Sequence, residues 1–475
     1  MTPLRKILLG AVVLLALVFG ATLWLLGTDS GTRWMLSRAT TYLPDELSLG
    51  EAEGSLLRGV SIRSIEWQGA PAHVRVHDLY LDLQLLPLLR KKVFIDDLKV
   101  AGIDVDIASS EQEDPNGTGP PSIELPIDVH VASLSIGRTR VTIDSMEHSI
   151  DSIAFSGNLQ GSDLLVSLFE LRSSQLDLDV DGRITLADSY PGRIDAEWQW
   201  QESNGGPFAG SLRVDGDMDR YELQHSLASP LRVTTQGTIT IGPDDVSGDL
   251  LSEWVALEWP LGERTVYSSQ GRLRIRGNPS ALIVDLGALA GVDENPESPI
   301  ELSGDVRLQP EPFFALEYEV GDVNPALFLE SMSGQLDLAG RVVGSITEHG
   351  PDLELIVEQL DGVLNESAVK GKGDVHLVGD EISLTEAQIA IGPNNIYVDG
   401  NVGSSLSLRA KIDAISIADV LPQAGGSIVG WASLSGPRHN PDMQLELQGT
   451  ALSWQESSSS LGPVDALSLI HISEP

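Results

Sequence analysis

The sequence Leu176–Leu186, LDLDVDGRITL, decides the fold class. Its apolar and charged residues alternate, so that Leu178 and Val180 share one phase and Asp179 and Asp181 the other. Because successive side chains of a β-strand point to opposite faces, this period of two predicts a strand with one apolar and one charged face. The same alternation recurs at 79–85, 272–276 and 444–448. An antiparallel sheet with one apolar face is the structure that this pattern favours.

The apolar face has few helices to cover it, since Pro325–Glu330 and Ile417–Leu421 are short helical candidates. A flat sheet of roughly 30–40 strands would expose a wide apolar face to water, which soluble proteins avoid. We therefore expect the sheet to curl around an aliphatic groove. Two apolar faces packed into a dry core fit the pattern equally well. The candidate groove-lining residues are Leu79, Leu81, Leu83, Leu85, Leu176, Leu178, Val180, Ile184, Leu273, Ile275, Leu445 and Leu447.

The composition limits the possible partners and chemistry. The 475 residues include 30 Lys and Arg against 69 Asp and Glu, a formal net charge of −39, which repels the phosphate backbone and excludes nucleic acid as a natural partner. There is no Cys, which excludes disulfides, thiolate metal sites and a Cys nucleophile. The length fits several compact domains or an elongated repeat body, and 47 Gly with 26 Pro favour the repeat body.

An uncharged apolar run, Ile7–Leu26, follows Arg5 and Lys6. Its 20 residues match a hydrocarbon core of about 30 Å, and the two cations predict a cytoplasmic N-terminus. A cleavable signal peptide ending near Gly20 is the alternative, although the run continues for six residues beyond it. The predicted membrane-anchor residues include Ile7, Leu8, Leu14, Leu15, Val18, Leu23 and Leu26.

Two stretches, 325–355 and 417–447, repeat with an offset of about 90 residues. Each has a short helical candidate, glycines ten residues apart and a Pro-Asp pair that opens an alternating strand. The glycine pairs are Gly334 with Gly344 and Gly426 with Gly436. Glycines at a fixed spacing within strands predict turns or bulges repeated along a solenoid-like body.

The sharpest local motif is Asp177–Gly182 with Asp188, which has the carboxylate spacing of a calcium loop. The alternation of a strand continues through it, and Tyr190-Pro191-Gly192 leaves no exit helix, so we predict no metal there. The nine His are scattered, and the nucleophile elbow, the P-loop and the dinucleotide fingerprint are missing from the sequence. We therefore predict no catalytic residue and no cofactor. Trp198 and Trp200 share one strand face, where packing is favoured over sugar stacking.

The order of these features resembles the N-terminal portion of the TamB family, within the AsmA-like superfamily. The residues that carry the resemblance are the anchor, Gly54–Gly59 leading into Val60–Trp67, then Leu79–Leu83, Leu85–Leu89 and Val93–Val100. The resemblance implies an inner-membrane anchor in a Gram-negative bacterium. It also implies a mostly β periplasmic body, built as an elongated, curled, one-sided antiparallel sheet (a β-taco) with few helices. The resemblance further implies that this body bridges the membranes and carries phospholipid acyl chains toward the outer membrane.

The resemblance also implies a partner, the outer-membrane barrel protein TamA, bound through a C-terminal domain that we expect to lie beyond this fragment. The alternative function is a scaffold that assists outer-membrane protein (autotransporter) assembly with that barrel. A carbohydrate-acting enzyme would need a cluster of acids in one cleft, which the sequence does not indicate. The expected divisions are a cytoplasmic tip with the anchor (1–27), a juxtamembrane helix (28–44), a first β-segment (45–108), an acidic Gly/Pro linker (109–121), a β-repeat body (122–292), a linker (293–299), AsmA-like β-repeats (300–467) and a terminal segment that resembles adaptor read-through (468–475).

Overall fold

The computed structural model describes most of the chain beyond residue 23. The described residues are 24–39, 44, 46–69, 72–107, 123–143, 146–187, 189–201, 207–242, 245–261, 264–293, 296–327, 332–347, 350–420, 423–439, 441–454 and 466–472. Contacts divide the chain into two units. Unit 1 is Met1–Pro230 with Ile239–Asp244, and unit 2 is Leu231–Thr238 with Asp245–Pro475.

Unit 1 contains one helix and thirteen strands among its described residues. Helix α1 is Asp29–Ala39, and the strands are β1 (Leu47–Leu49), β2 (Ala52–Ser55), β3 (Gly59–Gln68), β4 (Ala72–Gln84), β5 (Lys92–Ile107), β6 (Asp128–Ile143), β7 (Met146–Ile150), β8 (Ser152–Gln160), β9 (Asp163–Arg172), β10 (Leu176–Thr185), β11 (Gly192–Gln201), β12 (Pro207–Asp217) and β13 (Arg220–Ser229). The division between the units falls within β14 (Val233–Ile241).

Unit 2 continues the same architecture. Its strands are β15 (Val246–Leu261), β16 (Arg264–Asn278), β17 (Ala281–Val292), β18 (Ser298–Arg307), β19 (Phe313–Val323), β20 (Gly334–Thr347), β21 (Gly350–Leu364), β22 (Ser367–Val378), β23 (Glu381–Ile391), β24 (Asn394–Val402), β25 (Ser405–Ala414), β26 (Ala424–Pro437), β27 (Asp442–Trp454) and β28 (Ala466–Ile472). The predicted mostly β fold is confirmed.

Among the described residues of unit 1, strand pairing is antiparallel except between β5 and β6. β1 and β2 both pair with β3, and from β3 to β5 each strand pairs with the next. β5 then pairs in parallel with β6, so that Lys92 lies opposite Asp128. β7 and β8 share β6 as their partner, and the antiparallel order continues to β13. A parallel pair needs a crossover connection between its strands, and the expected linker 109–121, which lies between β5 and β6 in the sequence, is outside the described residues.

Unit 2 has a simpler topology. From β15 to β28 each strand pairs antiparallel with the next, which confirms the predicted antiparallel sheet. The expected linker 293–299 is short in the structure, because Ser298 and Pro299 already belong to β18 and lie opposite Ala290 and Leu289.

Glycines inside the strands adopt a conformation that other residues avoid. Gly304 in β18 has φ of +154°, and a Cβ there would lie 2.1 Å from the carbonyl oxygen of Ala315. Only glycine permits such close approach of neighbouring strands, and glycine kinks of this kind bend a sheet. The other strand glycines with positive φ include Gly182, Gly216, Gly277, Gly334, Gly362, Gly400 and Gly430. Among the glycines predicted to mark turns or bulges, Gly334 lies in β20 and Gly426 and Gly436 lie in β26, all three with positive φ.

The helical predictions fall only partly within the described residues. Within the two helical candidates the structure describes 3-10 turns, Pro325–Leu327 and Ile417–Asp419, and it describes α1 as far as Ala39; residues 40–43, 328–331 and 421–422 lie outside the described residues. A further 3-10 turn, Leu86–Arg90, was not predicted. It corrects the prediction for Leu85, which lies beyond β4 with helical backbone angles and so does not continue the strand alternation. Pro87 in the first turn favours the bend, because its φ is preset.

The predicted anchor lies almost wholly outside the described residues. Trp24–Gly27 are helical, and Leu26 is the last anchor residue by the sequence prediction. In the part of the chain that the structure describes, no helix combines the length and the apolar character needed to cross a bilayer.

Candidate lipid-binding face

The strand registers of unit 1 place the predicted lining residues in shared cross-strand rows. Residues directly opposite each other in paired strands project from the same face of the sheet. The row through Leu178 is Leu79, Val100, Ile136, Ile153, Leu171, Leu178, Trp198, Gly210 and Leu227. The row through Val180 is Leu81, Leu98, Leu134, Phe155, Phe169, Val180, Ala196, Leu212 and His225. Apolar rows thus pass through the parallel junction without interruption.

The remaining candidates of unit 1 lie on the adjoining rows. Leu83 pairs with Ile95, and Ile184 pairs with Leu164. Leu176 lies opposite Trp200, whose side chain is 42% exposed. Leu85 does not join these rows, since it lies beyond the end of β4.

Unit 2 carries an apolar face of the same construction. The row through Ile275 is Ile275, Val284, Gly304, Leu316, Val342, Leu355, Val375, Leu384, Gly400, Leu408, Leu434 and Met443. A second cross-strand row beside it begins at Leu273 and continues through Leu286, Leu302 and Tyr318. Leu445 and Leu447 pair with Ala432 and Gly430. Twelve strands therefore present one aliphatic face, which the sequence predicted only strand by strand.

Side chains on the apolar face of unit 2 are half-buried or exposed at several positions. In β18 the side chains alternate between exposed and half-buried, with Leu302 and Val306 half-buried and Glu301 and Asp305 exposed. Leu355, near the middle of the Ile275 row, is 38% exposed. A second layer of protein would bury such residues, as it does in β-sandwiches. The face is therefore accessible to an apolar ligand along the centres of its strands.

Two clusters at strand ends are closed. Leu364, Val369 and Ile391 are 4%, 2% and 4% exposed, with partly buried Met332 and Val420 packed against them. Ala414, Ile417 and Ala424 form the second cluster. Asn394 beside them is 1% exposed; its side-chain NH2 donates to the carbonyl oxygen of Ser416 at 2.8 Å, and its side-chain oxygen accepts from the N–H of Ser416 at 2.7 Å. We call these two sets the end clusters. The alternation of apolar and polar residues in the sequence did not predict them, because residues in turns, such as Val420 and Ile417, pack against the strand residues.

The face of unit 1 also contains an aromatic pair. The rings of Trp198 and His225 stack with centroids 5.8 Å apart and an interplanar angle of 8°. Gly210 makes room for them, since a Cβ there would lie 3.0 Å from the indole ring. Burial lowers the pKa of His225, because the charged imidazolium loses hydration on this apolar face. The expected packing role of Trp198 is consistent with this stack.

The opposite face of the sheet is covered by ion pairs. Arg274 binds Asp249 at 2.6 Å and Arg276 binds Asp285 at 2.8 Å. The guanidinium of Arg274 lowers the pKa of Asp249, and Arg213, with Arg193, lowers that of Asp195. These partly exposed pairs keep the face soluble and contribute little stability.

The calcium-like motif lies on this charged face. Asp177, Asp179 and Asp181 occupy strand β10 as predicted, and Asp179 is bound by Arg172 at 2.5 Å. Asp188 lies outside the described residues. Within the part of the chain that the structure describes, no cluster of His, Asp and Glu has the arrangement of a metal site.

The charged face of unit 2 carries a polar depression. It has a volume of about 490 Å³ and is lined by acids and arginines, among them Glu301, Glu319 and Arg341. Arg341 binds Glu358 at 3.4 Å at its rim. Tyr318 also lines the depression, and burial raises the pKa of its hydroxyl because the charged phenolate would lose hydration there.

Comparison with known families agrees with the sequence resemblance. The family model described as "TamB, N-terminal domain" matches the chain three times, at residues 18–167, 146–310 and 294–466. The three matches together cover nearly the whole chain and overlap only at their ends. No solved structure matches the chain.

Proposed function

Because the chain belongs to the TamB family, we propose that it is an inner-membrane-anchored periplasmic bridge whose aliphatic face carries phospholipid acyl chains toward the outer membrane. The observation that carries this proposal is the continuity of the apolar rows. They remain apolar from strand to strand apart from His225, and in β17 and β18 their side chains are only half-buried at the strand centres. The family partnership with the barrel protein TamA belongs to the same proposal, as does the absence of an enzymatic role.

The chemistry of the rows suits acyl chains. An acyl chain is flexible and offers no hydrogen-bonding group along its length, so a smooth aliphatic surface is a sufficient site. Leu286, Leu302 and Leu316 supply such a surface, while Asp285, Ser303 and Glu317 point to the opposite face. A ligand of this kind needs no specific pocket and can move from one strand to the next.

The strand glycines support a curled sheet. Gly304, Gly400 and Gly430 lie on the apolar face with φ of +154°, +131° and +158°. Bending at these positions would turn the apolar face inward and shield it from water. A sheet curled in this way would surround an acyl chain on several sides and leave a groove wide enough to hold it.

Photo-crosslinking tests the proposal with two neighbouring residues. A benzophenone amino acid replaces Leu302 on the apolar face or Ser303 on the charged face, in full-length chains expressed in cells with both membranes. We expect phospholipid adducts, identified by mass spectrometry, at position 302 and few at 303. Equal labelling at both positions, or adducts with protein alone at position 302, would remove the reason to regard this face as a lipid path.

A further inference from the structure

One end of the sheet in unit 1 exposes large apolar side chains together with cations. In the 3-10 turn Leu86–Arg90, Leu86 is 81% exposed, Leu89 is 85% exposed and Leu88 is 45% exposed. Three exposed leucines in one turn form an apolar patch that water does not favour. Arg90, Lys91 and Lys92 follow directly in the sequence. We call residues 85–92 the leucine tip.

The leucine tip has a defined conformation. Lys91 adopts the left-handed conformation, with φ of +56°, and its N–H donates a hydrogen bond to the carbonyl oxygen of Leu88. Lys92 binds Asp128 at 3.0 Å. None of the ion pairs among the described residues involves the side chain of Arg90 or Lys91, so their charges are available to another molecule. The leucines are held outward by this turn.

The register places other apolar and cationic residues at the same end. Val60 lies opposite Leu81, so the turn between β2 and β3 reaches the level of the tip. This turn contains Arg58 and Leu57, of which Leu57 is 50% exposed. The N–H of Leu57 donates to the carbonyl oxygen of Leu26 at 3.0 Å. The last residue of the predicted anchor is thus bonded to the end of the sheet that carries the tip.

The distribution of charge along the chain agrees with this arrangement. The first 100 residues contain 11 Lys and Arg and 10 Asp and Glu, a net charge of +1. The other 375 residues contain 19 Lys and Arg and 59 Asp and Glu, a net charge of −40, which with the +1 of the first 100 residues makes the total of −39. An acidic protein is repelled by an anionic lipid surface, and this chain lacks the acidic excess only where the anchor enters.

We propose that the leucine tip is a second membrane contact, in which Leu86, Leu88 and Leu89 enter the interfacial region of the bilayer and Arg90 and Lys91 bind acidic lipid headgroups. Leucines beside lysine and arginine are the composition that binds at an anionic lipid interface. α1 adds exposed Trp34, with Arg38 5.8 Å above its ring. The contact fixes the orientation of the first strands relative to the bilayer. This proposal takes one element from the proposed function, namely that the anchor enters the inner membrane.

Spin labelling of the full chain tests this contact, and the absence of Cys makes each site unique. Leu89→Cys reports on the tip. Gln68→Cys, exposed at the opposite end of β3, is the matched control, about 40 Å away by the length of the intervening strand. Both labelled chains are reconstituted into vesicles of phosphatidylethanolamine and phosphatidylglycerol. Collision with oxygen, which concentrates in the acyl region, is compared with collision with a water-soluble nickel chelate.

We expect the label at position 89 to lose most of its accessibility to the nickel chelate and to gain oxygen collisions, whereas the label at 68 keeps access to the chelate. Adding Arg90→Glu and Lys91→Glu should return the label at 89 to water. Equal access at both positions would overturn the proposal, as would an unchanged label in the charge-reversed chain. Magnetic broadening between labels at 89 would show that a second copy covers the tip instead. Lipid adducts at position 302 are scored separately, so the groove and the tip fail independently.

Discussion

Unit 2 contains two kinds of apolar surface within one sheet, and they differ in how they are closed. At the end cluster of Leu364, Val369 and Ile391, the side chains are almost fully buried. At the strand centres, Leu286 and Leu302 have the same aliphatic chemistry but are only half-buried. The difference teaches that turns, rather than a second layer, exclude water at the strand ends. The strand centres keep their access to a ligand.

Charge placed on the two surfaces should separate them most strongly. Val369→Asp buries a carboxylate without a partner and should lower the free energy of unfolding by about 4 kcal/mol. Leu302→Asp leaves its carboxylate in contact with water and should cost about 1 kcal/mol. Urea denaturation of lipid-free protein, followed by circular dichroism, measures both. Equal large losses would mean that the strand centres form a dry core.

Truncation should give the same order with smaller effects. Leu364→Ala creates a cavity in a closed cluster and should cost about 3 kcal/mol. Leu286→Ala removes a half-buried side chain and should cost about 1 kcal/mol. Urea denaturation measures the free energy of unfolding of both variants. A loss for Leu286→Ala as large as that for Leu364→Ala would contradict the proposed difference in packing.

A glycine pair on adjacent strands tests the bending of the sheet. Gly304→Ala should cost about 2 kcal/mol, since φ of +154° is strained for alanine and the new Cβ meets the carbonyl oxygen of Ala315. Gly287→Ala is the control, because the nearest atom to its Cβ is 3.6 Å away. It should be neutral or slightly stabilising. Thermal unfolding of the two variants decides this, and similar melting temperatures would remove the requirement for glycine at 304.

The aromatic pair of unit 1 should respond to pH, with the smallest effect. Burial lowers the pKa of His225, so the folded state binds fewer protons than the unfolded state just below about pH 6.5. Stability should therefore rise with pH through the window between the lowered pKa and about 6.5, and fall on acidification through it. Fluorescence-detected unfolding on either side of this window measures the effect. His225→Phe should remove it, while His439→Gln, at an exposed turn, should leave it unchanged.

Alternation in the sequence predicted the strands and their faces because a period of two is a local property. Leu178 and Val180 needed only their neighbours to be assigned to a face. The parallel junction between β5 and β6 and the end clusters depend on contacts between distant segments, so no local pattern indicated them. Leu85 was misassigned because its apolar neighbours extend the pattern into a turn that Pro87 bends.

The central claim is that the apolar face holds lipid, and the phospholipid bound to the purified chain measures this most directly. The full chain and its variants Leu83→Asp and Leu178→Asp are extracted in mild detergent, and phospholipid per chain is counted by mass spectrometry. We predict bound phospholipid in the parent and a large loss in both variants, with the fold retained. A parent without lipid, together with unfolding of both variants, would contradict the account and identify the face as a closed core.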